Sequence, residues 1–331
     1  MIKPTIDAHV HLNTPSRGKM EKAVDEGVSF LSINTDIPFF PSLSDQKRVA
    51  LQLAEEYPGR VRFITSFSVE GWEDEHWETK ALNEIKKGLD DGAAGVKIWK
   101  NIGMDLKDQH GDFVMIDHPK FDSIFQYLED NGILVIGHLG EPKNCWLPLD
   151  EMTVDSDREY FSKHPQYHMH LHPNYPTYEK QIFARDQRLK KHKNLKFVGL
   201  HLASLEWNVD AVSNWLDTFP NTMTDLAERI CHLQYQATID HKKVKSFIMN
   251  HQDRLIYGTD VIDDGSLSES EIQRKFENLW QSHWDFFSSG KTLSAPEFKD
   301  SFNGLELEKS ILEKIFHTNA QKTYGFQPLT T

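Results

Sequence analysis

Two histidines, His9 and His11, stand two residues apart in the run Ile6-Asp7-Ala8-His9-Val10-His11-Leu12. Successive side chains of a strand point to opposite faces, so both imidazoles project the same way. Side by side they are half of a metal site, and the remaining donors must come from elsewhere in the chain. His138 and His201 each close a short apolar run, ILVIGH and KFVGLH. Asp260 follows LIYGT, Asp225 ends a short run from Thr222, and Lys97 stands inside the apolar AGVKIW. His9, His11, His138 and Asp260 would make a set suited to Zn²⁺ with a position left open for water, whose pKa such an ion lowers towards about 7. Arg229, four residues beyond Asp225, could reach the same mouth and grip a carboxylate bidentately, or form a rim ion pair with Asp225 or Glu228.

The elements that must bring these residues together are legible in the patterning. Strand-like runs cover Ile6–Leu12, Val28–Asn34, Arg62–Val69, Ala94–Trp99, Ile133–His138, Lys196–His201, Thr222–Asp225 and Leu255–Gly258. Helical spacing covers Arg17–Glu26, Asp45–Tyr57, Glu75–Asp91, Phe121–Glu129, Tyr178–His192, Val209–Phe219, Lys242–Asn250 and Glu269–Phe287, and the chain finishes helically from Glu308. Strands alternating with helices predict an α/β fold, a closed (β/α)8 TIM barrel, in which the C-terminal strand ends converge on one mouth. An open doubly wound sheet is the alternative, but no glycine-rich phosphate loop follows the first strand. One domain over 1–331 is expected, with loop insertions near 140–177 and 263–304. The first insertion holds His164, His168, His170 and His172, which read as solvated. Trp99 and Trp146 could line the pocket, while Tyr160, Trp207, Trp280 and Trp284 read as packing.

Composition narrows the class. Acidic residues outnumber basic ones 50 to 37, a net charge of −13, which argues against a nucleic-acid or anionic-membrane surface. Cys145 and Cys231 belong to no paired motif, and no run is apolar enough for a membrane span or a secretory leader. A cytoplasmic enzyme acting on a small molecule is expected.

The ordered motifs D-A-H-V-H-L, G-H-L-G-E-P, G-L-H-L-A-S and Y-G-T-D resemble the amidohydrolase superfamily. G-V-K-I-W, the absence of room for a flanking β-sandwich, and the closing N-A-Q-K-T-Y-G-F make the chain similar to its amidohydrolase-related branch. That branch includes aminocarboxymuconate-semialdehyde decarboxylase and lactone hydrolases. The resemblance implies that Asp260 binds metal and accepts the proton of the attacking water. It implies that His201 acts as acid/base beside one ion or ligates a second, and that Lys97 is either a carboxylated bridge between two ions or an ordinary lysine meeting a substrate carboxylate. One ion is expected rather than two. The expected function is metal-dependent hydrolysis of an ester, lactone or amide in a small, anionic substrate contacted by Lys97, Trp99 and Arg229. The alternatives are a metal-dependent decarboxylase of an unsaturated or aromatic acid, and a non-catalytic binding barrel. A homodimer would be in keeping with the branch.

Overall fold

The computed structural model describes residues 5–328. Nine strands form its main sheet: β1 (Ile6–Leu12), β2 (Ser29–Ile33), β3 (Val61–Ser66), β4 (Val96–Ile98), β5 (Val135–Gly137), β6 (Phe197–Gly199), β7 (Thr222–Asp225), β8 (Leu255–Ile256) and β9 (Val261–Asp263). Their order is β8-β7-β6-β5-β4-β3-β2-β1-β9, and every pairing is parallel. Only Tyr257-Gly258-Thr259-Asp260 separates β8, which pairs with β7, from β9, which pairs with β1. The two are halves of one interrupted eighth strand, and they close a (β/α)8 barrel. At the break Asp260 takes a left-handed backbone with φ of 63°, while the Tyr257 carbonyl accepts from Ala8 N and Asp260 N donates to the His9 carbonyl.

Helix ends follow local chemistry. Ser42 and Thr177 accept from backbone N–H groups in the first turns of helices Leu43–Glu56 and Tyr178–Lys191, and Ser268 and Glu271 form a capping box on helix Glu269–Ser288. Gly27 ends the first helix with φ of 74°, a conformation that costs a residue without Cβ little.

Apolar residues divide into two layers. Ile6, Ala8, Leu31, Ile33, Ile64, Ile136, Val198 and Ile256 pack together inside the barrel, whereas Val10, Leu12, Phe30, Val96 and Val135 pack outward against the helices. The β1–β2 register shifts between Asp7 and Val10. Such an irregularity re-aims side chains. Ile6 and Ala8 face inward before it and Val10 and Leu12 face outward after it, so His9 and His11 are delivered to the cavity at the barrel mouth.

The 140–177 excursion is built of short turns around helix Asp155–Lys163, and Cys145, Met152, Phe161 and Met169 pack there with Met104 into a third small core. The 263–304 excursion carries helix Glu269–Ser288 and a short antiparallel pair, Thr292–Leu293 with Phe302–Asn303. Helix Ile230–Asn250 begins twelve residues before the periodicity predicts, and it breaks helical geometry at Asp240. Among the described residues no helix is long and apolar enough to cross a membrane.

Candidate metal centre and active site

A cavity of about 220 Å³ opens at the C-terminal strand ends. His9, His11, Lys97, Trp99, His138, His201, Arg229 and Asp260, which the sequence singles out, all line it. Distances within the group are uneven. Donor atoms of His9, His11 and Asp260 fall within 4.8 Å of one another, as do those of His201, Glu228 and Asp260, and of His9, His201 and Asp225. His138 belongs to none of these trios. Its ring centroid lies 4.3 Å from that of His201, and its buried Nε2 has no hydrogen-bond partner and is 3.6 Å from Glu141 Oε2.

Partners on the far side of each ring fix the tautomers. His11 Nδ1 meets the Ile33 carbonyl at 2.7 Å and His201 Nδ1 meets the Ala227 carbonyl at 3.0 Å. A carbonyl can only accept, so both Nδ1 atoms carry the proton and both Nε2 atoms present lone pairs to the cavity. His9 Nδ1 donates to Asp225 Oδ2 at 2.6 Å. The other Asp225 oxygen, Oδ1, accepts from His201 N at 2.5 Å, so one buried carboxylate orients two imidazoles.

The inner side poses a conflict. Asp260 Oδ1 lies 3.0 Å from His9 Nε2 and 3.2 Å from His11 Nε2, while Oδ2 is 3.9 Å from His201 Nε2. Burial lowers the pKa of His11 against the opposing pull of Asp260, which favours the neutral ring. Its Nε2 lone pair then faces a carboxylate oxygen, acceptor against acceptor. Both His9 Nε2 and Asp260 Oδ1 are buried without a hydrogen-bond partner. A divalent cation between these atoms would turn the repulsion between His11 and Asp260 into coordination and take the place of the proton that holds His9 against Asp260, and imidazole nitrogen with carboxylate oxygen is a donor set such ions take. Outer partners that hold ligating rings in one tautomer are the usual companions of such sites. The residues present therefore fit a bound ion.

Burial holds His138 and His201 well below the ordinary histidine pKa, so both are neutral. In His9, burial is outweighed by Asp260 and Asp225, which raise the pKa to about 9. Lys97 is buried inside β4 and has no hydrogen-bond or ion-pair partner among the described residues; desolvation brings its pKa down to about 8. Lys100 is paired with Glu141. Arg229 does not reach Asp225: it lies 3.2 Å from Glu228 Oε2 and 3.9 Å from Asp157 Oδ1, and its buried Nε is unpartnered. Phe39, Phe40, Trp99, Tyr160 and Phe161 form the outer wall, so Tyr160, which the sequence suggests is packing, is a pocket residue.

His201 heads a backbone feature that the sequence does not announce. β6 ends at Gly199, and four consecutive non-glycine residues, His201 to Ser204, have φ between 54° and 58°. Left-handed geometry costs such residues about 1–2 kcal/mol each. The turn is clamped from helix Tyr178–Lys191 by Tyr178, which donates to the Ser204 carbonyl, and Arg185, which donates to the Ala203 carbonyl.

Residues 6–326 match the amidohydrolase family model. The chain belongs to the amidohydrolase family. Members of that family are typically metal-dependent, in agreement with the fit of the His and Asp donors. Solved structures share the barrel at low identity. They include a 2,6-dihydroxybenzoate decarboxylase from Rhizobium (12% identity, TM-score 0.54, covering 98% of this chain and 99% of that one). A 4-oxalomesaconate hydratase from Rhodopseudomonas palustris gives 11% identity and a TM-score of 0.51, covering 97% of this chain and 95% of that one. An uncharacterized TIM-barrel protein from Bordetella bronchiseptica gives 14% and 0.52, covering 97% and 98%. At such identities the likeness speaks for the fold alone. Among curated proteins none matches the sequence.

Strand-end reasoning misses Glu228, whose carboxylate falls within reach of His201 and Asp260, and the partner residues Asp7, Glu141 and Asp157 with the orienting role of Asp225. Asp225 does stand at a strand end, but no local signal shows that it faces His9, 216 residues away.

Proposed function

We propose that this amidohydrolase is a hydrolase dependent on one divalent ion, Zn²⁺, and that it opens an ester, lactone or amide of a small carboxylated substrate. The observation that carries the reading is His11 Nε2 set 3.2 Å from Asp260 Oδ1, two acceptors in contact distance. When bound, a divalent ion supplies a Lewis acid that acidifies water and polarises a carbonyl.

The protein's own groups supply the rest. Asp260 Oδ2 and His201 Nε2 converge on one side of the cavity, both free to accept, so the one proton that water releases as it attacks is taken between them and passes to His201 Nε2. Because its Nδ1–H is committed to Ala227, His201 enters as a base at Nε2 and returns the proton there to the leaving group. Lys97, a buried ammonium with no partner, and Arg229, with an unpaired Nε, supply the positive charge that a substrate carboxylate requires. Ligand pockets commonly span about 300–1,000 Å³, so a cavity of about 220 Å³ favours a small substrate. The aromatic wall suits a flat one.

The same cations would hold the departing carboxylate of a decarboxylase, so the test must see both products. Protein freed of metal with a chelator and reloaded with Zn²⁺ is assayed for ring opening of carboxylated lactones, for ester cleavage, and for CO₂ release from aromatic acids. Hydrolysis that requires the ion is expected. CO₂ release without hydrolysis overturns the hydrolase, and failure to take up stoichiometric ion overturns the metal-dependent enzyme.

A further inference from the structure

Asp7 lies two residues before His9 and, beyond a contact with the His9 backbone N–H, reaches none of the ion's donor atoms. Its side chain is fully buried on the outer side of β1, and its two oxygens accept three hydrogen bonds. Thr259 N donates to Oδ1 at 2.9 Å, Thr259 Oγ1 donates to Oδ2 at 2.8 Å, and Trp280 Nε1 of helix Glu269–Ser288 donates to Oδ2 at 3.0 Å. Val261 N donates to Thr259 Oγ1 at 3.3 Å, so that hydroxyl must spend its own proton on Asp7. One carboxylate thus ties down both neighbours of Asp260 in sequence. Asp260 itself occupies a left-handed backbone position that a non-glycine residue holds only where its surroundings insist.

We infer that Asp7 is a positioning residue for the ion: through Thr259 it fixes the break in the eighth strand and so aims the Asp260 carboxylate at His9 and His11. The inference rests on reading those three residues as a divalent-ion site. A carboxylate is required at position 7 because all three contacts are donors. An asparagine there must turn its NH₂ towards at least one N–H or O–H group, leaving that donor unpaired in a dry site.

The test uses Co²⁺ as probe, because its visible absorption reports coordination geometry as well as occupancy. Wild type, Asp7→Asn, Thr259→Val and Trp280→Phe are titrated by chelator competition. Outer-sphere changes weaken metal binding by about 10- to 100-fold, and Asp7→Asn is expected in that range with an altered Co²⁺ band. Thr259→Val, which keeps the backbone donor, should weaken binding by a smaller factor. Trp280→Phe, which removes a donor that leads to none of the ion's ligands, should leave both affinity and band unchanged.

A folded Asp7→Asn protein with the wild-type affinity and spectrum overturns the inference. If that variant does not fold, wild-type behaviour of Thr259→Val overturns it instead. Loss in Trp280→Phe as large as in Asp7→Asn also overturns it, since the effect would then be packing rather than aim. A wild type that binds no Co²⁺ takes down the ion-site reading beneath it, which separates the two failures.

Discussion

At the scale of single residues, the centre is a problem in charge and lone pairs. Removing His11 or Asp260 deletes a donor from the trio of His9, His11 and Asp260, so His11→Ala and Asp260→Ala should each lower divalent-ion affinity by more than the about 10- to 100-fold that outer-sphere changes cost, read by equilibrium dialysis. His138→Ala should weaken the ion less, since His138 stands outside that trio. Lys97 gives the opposite kind of prediction. A buried ammonium without a partner is costly, so Lys97→Met should raise the melting temperature by the equivalent of about 1–2 kcal/mol while abolishing competitive inhibition by small carboxylates. If Lys97 were a carboxylated bridge between two ions, the same variant would shed one of them, and unchanged ion stoichiometry rules that out. The sequence makes donors visible because imidazole and carboxylate at strand ends are unusual types in unusual places. It hides their orienters: nothing local distinguishes Asp7 or Asp225 from any other buried acid until the barrel closes and sets Asp7 beside Thr259 and Asp225 beside both His9 and His201.

At the scale of elements, close approach and strain place the donors. A Cβ on Gly258 would lie 2.6 Å from His9 Cβ and 3.0 Å from His9 N, so Gly258→Ala must push β1 at the ligand itself. Overpacking of this kind costs about 1–3 kcal/mol, and the variant should lose that much stability in denaturant melts together with ion affinity. The left-handed turn from His201 to Ser204 makes a second case. Arg185→Met frees the Ala203 carbonyl and lets the turn relax, which should cut turnover at least about tenfold, a barrier rise near 1.4 kcal/mol, while ion content stays at the wild-type level. Retained turnover would show that the clamp does not place His201. Alternating strands and helices were readable because apolar runs and amphipathic spacing are local properties. The turn was not, since G-L-H-L-A-S holds no glycine or asparagine where φ becomes positive, so nothing local marks the left-handed run that begins at His201. The first half of helix Ile230–Asn250 was hidden for another reason. His232, which faces Asp157 of the insertion, and Gln234 are polar yet buried, and they interrupt the apolar period.

At the scale of the whole molecule, the two excursions from the barrel meet over the cavity. Glu297 of the second accepts from Asp155 N through its carbonyl at 2.7 Å and from Ser156 N through Oε2 at 2.8 Å, capping helix Asp155–Lys163 of the first. From that helix Tyr160 and Phe161 form part of the pocket wall, and Asp157 turns inward. There Asp157 accepts from Asn144 Nδ2 at 2.8 Å and faces His232 Nε2 at 3.2 Å and Arg229 at 3.9 Å. The insertion shows no periodicity in sequence because it is held by this polar anchor and a small core of its own rather than by one amphipathic face. The anchor makes the lid sensitive to acid. Burial alone would raise the Asp157 pKa, but His232, Arg229 and Asn144 together bring it below the ordinary value. A carboxyl whose folded pKa is depressed contributes stability that is complete above its unfolded pKa, about 3.9, and is lost as pH falls further towards the folded value. Hydrogen exchange in residues 155–163 should therefore accelerate as pH drops below about 4, after correction for the intrinsic pH dependence of exchange. Other carboxyls titrate in that range too, so Asp157→Asn supplies the control. It keeps a partner for Asn144 but removes the charge facing Arg229 and His232, and at neutral pH it should already show the looser segment, by about 1–3 kcal/mol, with the acid step diminished. Protection in that variant equal to wild type at neutral pH would mean that Glu297 and the small core hold the lid without help from the barrel mouth.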